Sequence, residues 1–212
     1  MDLIILTGMP ATGKSTIAAN LSKAFRYPIL EKDNIKEGLF DILGFENYAQ
    51  KRKLDHASNE VLLRILESMM KAGSSLIVDN NFDTVSTEKL YALIEAYQPN
   101  CVTIFLHGDS QTLYERYVQR DSLRKRHLGH ILQDHYPPHE GDDLNYSMTR
   151  DEFDEKFFKR GMDQFKCPGE RLEVDVTDFA KVDNAALVCE VQNLLGRYFT
   201  RESEEHRTGN EA

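Results

Sequence analysis

The sequence predicts an α/β fold: a three-layer α/β/α sandwich with a five-stranded parallel sheet and a helical lid. Three observations carry that expectation. Short, wholly apolar runs such as "LIIL" at 3–6 and "LIV" at 76–78 alternate with longer stretches of helical period. A strand without polar alternation is one buried on both faces. The first run passes through a glycine-rich loop, "GMPATGKST" at 8–16, directly into a helical stretch. Finally, 212 residues with 41% hydrophobic content suffice for one sizeable core, so a single domain over residues 1–200 is expected.

"LIILTG" reads as the first strand, and Ile17, Leu21, Ala24 and Phe25 then share one helix face. "PILEKD" at 28–33 reads as a second strand opening onto the short helix "NIKEGLFDIL", which Gly44 ends. From Tyr48 a long helix carries the stripe Val61, Leu62, Ile65, Leu66, Met69 and Met70 and stops at Gly73; the stripe is assigned to the core. "SSLIVD" is the third strand, followed by a helix through Leu90, Leu93 and Ile94. "CVTIFL" is the fourth, followed by a helix through Leu113 and Tyr117. "RLEVDV" is the fifth, and the last helix carries Ala186, Leu187, Val191 and Leu195. Such alternation means a parallel sheet covered on both faces. No internal repeat interrupts it, and "RESEEHRTGNEA" at 201–212 reads as a frayed polar tail.

A formal charge of −9 and a pI near 5.3 argue against a protein that coats long nucleic acid or an anionic membrane. No apolar stretch is long enough for a membrane span. "MDLIIL" enters the first strand without the pattern of a signal peptide, so a cytoplasmic location is expected. Cys101, Cys167 and Cys189 lack metal-ligand spacing and read as reduced core thiols.

Gly8, Gly13, Lys14 and Ser15 fit G-x-x-x-x-G-K-[ST], with the strand before and the helix after that give this motif its meaning. The loop from Gly8 through Met9, Pro10, Ala11, Thr12, Gly13 and Lys14 to Ser15 and Thr16 is expected to wrap the phosphates of ATP, helped by the helix dipole. Lys14 would bridge β- and γ-phosphate oxygens, and Ser15 would place its hydroxyl on Mg²⁺. Asp33, at the C-terminal end of the second strand, would accept the proton of a substrate hydroxyl or serve as an N-cap, roles that can coexist. Asp79 ends "LIVD", where a carboxylate would orient Mg²⁺ or a metal-bound water; a plain turn residue is the alternative. Asn80 and Asn81 either bind substrate or make that turn.

Between 116 and 130 stand Arg116, Arg120, Arg124, Lys125 and Arg126 against Asp121 alone, inside an acidic chain. This segment is expected to form a lid over the phosphates, at about 120–135, since the guanidinium fork holds two phosphate oxygens at once. Arg120 and Arg124 would act on the transferring group, and Arg116 and Arg126 on the nucleotide. Arg116 and Arg120, one turn apart, are expected to point the same way. A solvated charged helix is the competing reading. His127 and His130 flank Gly129 and read as phosphate or substrate contacts, or hinge structure, rather than metal ligands. A loop at about 134–150 and the residues after it, to Glu155, carry eight acidic residues against Arg150. Near the site it would repel a polyanion and tolerate a neutral or cationic acceptor; otherwise it is a solvated connection.

Together, the P-loop, Asp33, Asp79 and the arginine-rich segment resemble the small AAA-type ATP-binding P-loop kinases. The subgroup in question includes polynucleotide 5'-kinases, zeta-toxin-like sugar-nucleotide kinases, gluconate kinases and chloramphenicol phosphotransferases. The resemblance spans about residues 1–200 and implies ATP- and Mg²⁺-dependent phosphoryl transfer to an alcohol. In such enzymes the residue matching Asp33 acts on the acceptor hydroxyl and lid arginines clamp ATP. Lys36 is a departure, because polynucleotide kinases tend to carry Arg at the matching position. With Asp33, Lys36, Asn80 and Asn81 as substrate contacts, a small hydroxyl compound is the favoured acceptor. A nucleoside or polynucleotide 5'-hydroxyl comes second, and a P-loop NTPase or nucleotide-binding protein without acceptor third; a GTP switch lacks its N-K-x-D-like motif here.

Overall fold

A computed structural model describes residues 1–82, 84–122, 126–142, 144, 148–157, 165–167 and 169–208, without the side chains of 84–86 and 197–208. The elements run β1 (Asp2–Gly8), α1 (Lys14–Phe25), β2 (Ile29–Glu31), α2 (Lys32–Leu43), α3 (Tyr48–Lys71), β3 (Leu76–Asp79) and α4 (Thr84–Tyr97). They continue with β4 (Asn100–His107), α5 (Ser110–Ser122), α6 (Leu128–Ile131), α7 (Arg150–Phe157), β5 (Glu170–Asp175), a 3-10 turn at Phe179–Lys181 and α8 (Asn184–Thr208). All strand pairs are parallel, in the order β2-β3-β1-β4-β5.

β1 is the hub, which explains its unbroken apolar run. Leu3 and Ile5 face a core built with Leu62 and Leu66 of α3 and Leu90 of α4. Ile4 and Leu6 face the opposite core, with Ile17 and Leu21 of α1, Leu113 of α5 and Val191 of α8. Each such fully buried aliphatic side chain contributes about 1.5–3 kcal/mol of burial, so the two faces together fix the strand's register. From β1 the chain turns toward β2 on one side and later crosses from β3 to β4 on the other. That reversal opens a crevice at the carboxyl ends of the strands, where the glycine-rich loop lies. Gly8 ends β1 at φ +135°, and a Cβ there would lie 2.1 Å from the Leu106 carbonyl oxygen of β4. Only glycine lets the two backbones meet before the loop turns.

A third, smaller apolar cluster bears on the site. Phe40 of α2, Phe45 and Leu132 pack together and fasten α6 onto α2. Gly44 closes α2, its N–H donating to the Phe40 carbonyl at 2.8 Å. Phe45 and Tyr136 then exchange two backbone hydrogen bonds, at 2.9 and 2.7 Å. The segment after α5 is thereby tied to the α2–α3 corner.

Several sequence expectations need correction. The α3 stripe is rotated: Leu62, Leu63, Leu66 and Met70 are buried, while Val61 and Ile65 are each 38% exposed. Ala24 is exposed at the end of α1. Cys101 is buried and Cys167 half-buried, but Cys189 lies on the solvent side of α8 and is no core thiol. The α8 backbone stays helical through Thr208, past residue 200. Among the described residues, no helix is long and apolar enough to cross a membrane.

Candidate active site

The loop between β1 and α1 is shaped by its own side chains. Thr12 Oγ1 donates to the Met9 carbonyl at 2.8 Å, and Ala11 sits at φ +63°. Gly13 precedes α1 at φ +81°; a Cβ there would lie 2.4 Å from the Phe179 ring. Gly13 and the first residues of α1, Lys14 to Thr16, line the crevice, the place of an anion site at a helix N-terminus. Lys14 Nζ curls back to donate to the Met9 and Gly8 carbonyls at 2.9 and 3.2 Å. Burial pushes its pKa down to about 8, although Asp79 and Asp33 pull it back up.

Ser15 Oγ donates to Asp79 Oδ2 at 2.9 Å. Asp79 is the last residue of β3 and is buried, and burial pushes its pKa up against the opposing charge of Lys14. Its register partner on β2 is Glu31, whose carboxyl is also pushed up, first by burial and then by Asp79. Asp79 thus raises its neighbour Glu31, and two acids at adjacent strand ends suit a cation between them and the phosphates. Glu31 escaped the sequence reading, although its place as the final residue of an apolar strand was the available signal.

Asp33 lies in the first turn of α2, not at the end of β2, and the N-cap position belongs to Glu31. The capping role is therefore withdrawn. Freed from it, the Asp33 side chain is open to solvent on the wall of the cleft. Burial in the concave wall raises its pKa, but the charges of His130, Lys36, Arg126 and Lys32 outweigh this and hold the carboxyl below its usual range. Asp33 is ionised at neutral pH.

One cleft of about 410 Å³ is lined by Lys14, Ser15, Asp33, Lys36, Asp79, Asn80, Asn81, Arg120 and Arg126, with Pro10, Ala11, Gly13 and Thr16 at the loop end. Arg120 and Arg126 stack over Tyr117, at 5.2 and 5.5 Å from its ring centroid. Arg126 also donates to the Tyr117 hydroxyl at 3.1 Å. Arg120 Nε and Nη2, by contrast, are buried and have no hydrogen-bond partner among the described residues. The nearest carboxylate, on Asp121, stands 3.6 Å from Nε. Burial and the neighbouring Arg126 lower the Arg120 pKa, so a positive fork is held beside another with its donors unsatisfied. An incoming anion would relieve both conditions.

Not every candidate converges. Arg116 does not share the direction of Arg120: its guanidinium donates to the Val176 and Thr177 carbonyls at 2.6 and 2.7 Å, pinning the end of β5 to α5. Arg124 lies outside the described residues. Asn80 donates weakly to Asn59 at 3.4 Å, and the Asn81 amide oxygen is buried without a partner among the described residues. His127 caps α6 through Nδ1 and meets Asp41 at 3.0 Å, which makes it hinge structure. His130 lines the cleft with Nε2 on Glu37 at 3.0 Å, and burial pushes its pKa down. Lys36 does face the cleft, but it pairs with Asp55 of α3 at 2.7 Å, as Lys32 does at 3.0 Å. The two lysines hold the Asp55 carboxyl far below the usual range against its burial. Asp55 and Lys51 were missed because isolated charges on a long helix read as surface. Lys51 is in fact buried, donating to the carbonyls of His130 and Leu132 across the chain.

The AAA domain family, AAA_33, matches residues 3–133. The chain belongs to that family. A shikimate kinase of Flavobacterium johnsoniae is 32% identical over 129 residues, 58% of this chain and 70% of that protein. An L-seryl-tRNA(Sec) kinase of Methanococcus maripaludis is 32% identical over 126 residues, and the match spans only 46% of its length. Among solved structures, a putative kinase from Chloroflexus aurantiacus superposes with a TM-score of 0.74 at 28% identity, covering 91% of this chain and 97% of its own. The protein is an ATP-dependent P-loop kinase. Its loop, acidic strand ends and arginines occupy one crevice, as that chemistry requires.

Proposed function

We propose that this cleft transfers the γ-phosphoryl group of ATP to a hydroxyl of a small molecule, with Asp33 receiving or orienting the hydroxyl proton. The observation that carries the reading is the placement of an ionised, solvent-open carboxylate in the same cleft as Lys14 and as Arg120, whose Nε and Nη2 have no hydrogen-bond partner among the described residues. The loop N–H groups and Lys14 would hold the β- and γ-phosphates. Arg120 and Arg126 would neutralise charge on the transferring group, where a positioned arginine acts mainly in the transition state. Ser15 and Asp79 fit a Mg²⁺ ion, which when bound would neutralise charge between the two terminal phosphates. Asp33 would hold the acceptor oxygen in line; in a loose phosphoryl-transfer transition state, orientation matters more than base strength.

Within the family we place the chain with kinases of small hydroxyl compounds, as in the gluconate-kinase-like grouping, ahead of polynucleotide 5'-kinases. Lys36 supports this, because an ammonium is a point charge that cannot present a bidentate fork to a phosphodiester. The reading is tested by ADP release from ATP in the presence of sugars, polyols, hydroxy acids, nucleosides and 5'-hydroxyl oligonucleotides. Stimulation by one small-molecule class is the expected result. Stimulation only by oligonucleotides, or by none, overturns it.

A further inference from the structure

The cleft holds more positive charge than its nucleotide requires. Among the described residues it is lined by eight lysines and arginines against four carboxylates, in a chain whose net charge is −9. The acidic stretch at 134–155 supplies none of that lining: His130, Gln133, Lys156 and Phe157 reach the cleft, and its described acids do not. The physical basis for expecting a neutral or cationic acceptor is therefore gone. MgATP is a dianion, and it neutralises only part of the excess. The remaining positive field lies at the far end, where α2 and α3 contribute Lys32, Lys36, Lys51 and Arg52 around the single carboxylate of Asp55. Lys51 is spent on carbonyls, whereas the exposed Arg52 guanidinium has no ion pair among the described residues.

We infer that the acceptor is a small hydroxyl compound that itself carries a carboxylate or phosphate, seated between α2 and α3 with its anionic group toward Arg52 and Lys36. This rests on the transfer reading above and adds the acceptor's charge. Concave, low-dielectric walls focus such a field, so an anion is drawn in and a cation turned away. Asp55 Oδ1 holds both lysine ammonium groups, Lys32 at 3.0 Å and Lys36 at 2.7 Å.

The test measures binding separately from transfer. Isothermal titration into the full chain, saturated with a nonhydrolysable ATP analogue and Mg²⁺, uses matched probes: glycerol, glycerate and glycerol phosphate, then sorbitol, gluconate and a sugar phosphate. Anionic members are expected to bind at least about tenfold more tightly than their neutral partners, with an advantage that shrinks as salt rises. The carboxylate and phosphate arms show which anion is preferred. Arg52→Ala and Lys36→Met are each expected to remove about tenfold or more of the anionic advantage, read as the ratio of anionic to neutral affinity in each variant. Neutral members binding as tightly as anionic ones in the parent chain overturn the inference. If anions bind with the stated preference but no phosphate is transferred, the acceptor's charge stands and the transfer reading fails.

A second observation, independent of the cleft, lies in the same acidic loop. The ligand atoms of His135, His139 and Asp142 all lie within 4.8 Å of one another. The two imidazoles stack with centroids 4.1 Å apart, and His135 Nε2 meets Asp142 Oδ2 at 2.7 Å. Two imidazoles and one carboxylate suit a divalent transition ion with an open fourth position better than Mg²⁺. We propose a Zn²⁺-class site that would clasp the loop adjoining Tyr136 and so brace the segment carrying Gln133. Titration of tag-free protein with Co²⁺, followed by its visible absorption, is expected to show one site that His135→Ala and His139→Ala each abolish and that Asp79→Asn retains. Unaltered absorption in the two histidine variants, with folding confirmed by circular dichroism, overturns the proposal.

Discussion

Lys14 is a half-buried cation whose charge is only partly secured, and this has a measurable consequence. Because its pKa is pushed down to about 8 in the ligand-free protein, a fraction of the chains lose that proton as pH rises through 8. Phosphate oxygens favour the charged form, so nucleotide binding at pH 8–9 should take up a proton. Calorimetry in buffers of different ionisation enthalpy checks this, and an uptake of zero at pH 8.5 contradicts it. In the unliganded chain the sign is also set: between about 8 and 10.5 the unfolded state holds more protons at this site, so its contribution to stability rises with pH there. Lys14→Ala should lower transfer by about 10²–10³ or more with the fold intact. The arginines should differ. Arg120→Ala is expected to lose about 10³ in rate, as its donors have no partner among the described residues, and Arg126→Ala less, since Tyr117 already engages it. Arg116→Ala should instead lower the melting temperature, because it breaks two bonds to the end of β5. The sequence showed an arginine cluster but could not rank its members: a one-turn spacing gives a shared face, not the carbonyls at 176 and 177 that capture one of the pair.

At the scale of elements, the α2–α3 pair carries the proposed acceptor side, and α6 rides on it through Phe40, Lys51 and the Phe45–Tyr136 bridge. Lys51 is buried with its pKa pushed down to about 7, first by desolvation, and its donors go to backbone carbonyls 79 and 81 residues away. Replacing it by Met removes a costly buried charge but strands those carbonyls. The second effect should dominate, destabilising the chain by about 1–3 kcal/mol. Chemical denaturation of Lys51→Met measures it, and equal or greater stability contradicts the assignment. Helix and strand order was legible because apolar runs and stripes are local patterns. Even so, the α3 stripe was misread by a residue, since Val61 and Ile65 look as apolar as Leu62 and Leu66 until the neighbouring helix is in place. The Asp55 and Lys51 contacts were not legible at all, because their partners lie 19 or more residues away in sequence.

For the molecule as a whole, the sheet order places phosphate loop, acidic strand ends and α2 along one edge of the cleft, and Arg120, Arg126, His130 and Gln133 add a further wall. Two positive forks beside one another should draw inward when a polyphosphate arrives. Hydrogen exchange should therefore slow at residues 120–122 and 126–133 on addition of a nonhydrolysable ATP analogue. Identical protection in both states would make this wall a fixed charged surface. The phosphate loop was legible from sequence because its chemistry is contiguous in eight residues, Gly8–Ser15. The charge proposed for the acceptor was not, since it follows from side chains of α2 and α3 that only the fold brings together. The claim on which the rest depends is that Asp33 faces the acceptor hydroxyl while Lys14 and Arg120 face ATP. Single-turnover transfer from γ-labelled ATP, run beside equilibrium nucleotide binding in the parent chain and in Asp33→Asn, tests it most directly. The account predicts a fall of about 10²–10⁴ in the transfer rate with nucleotide affinity little changed; equal losses in rate and in ATP binding, or no loss of rate, would contradict it.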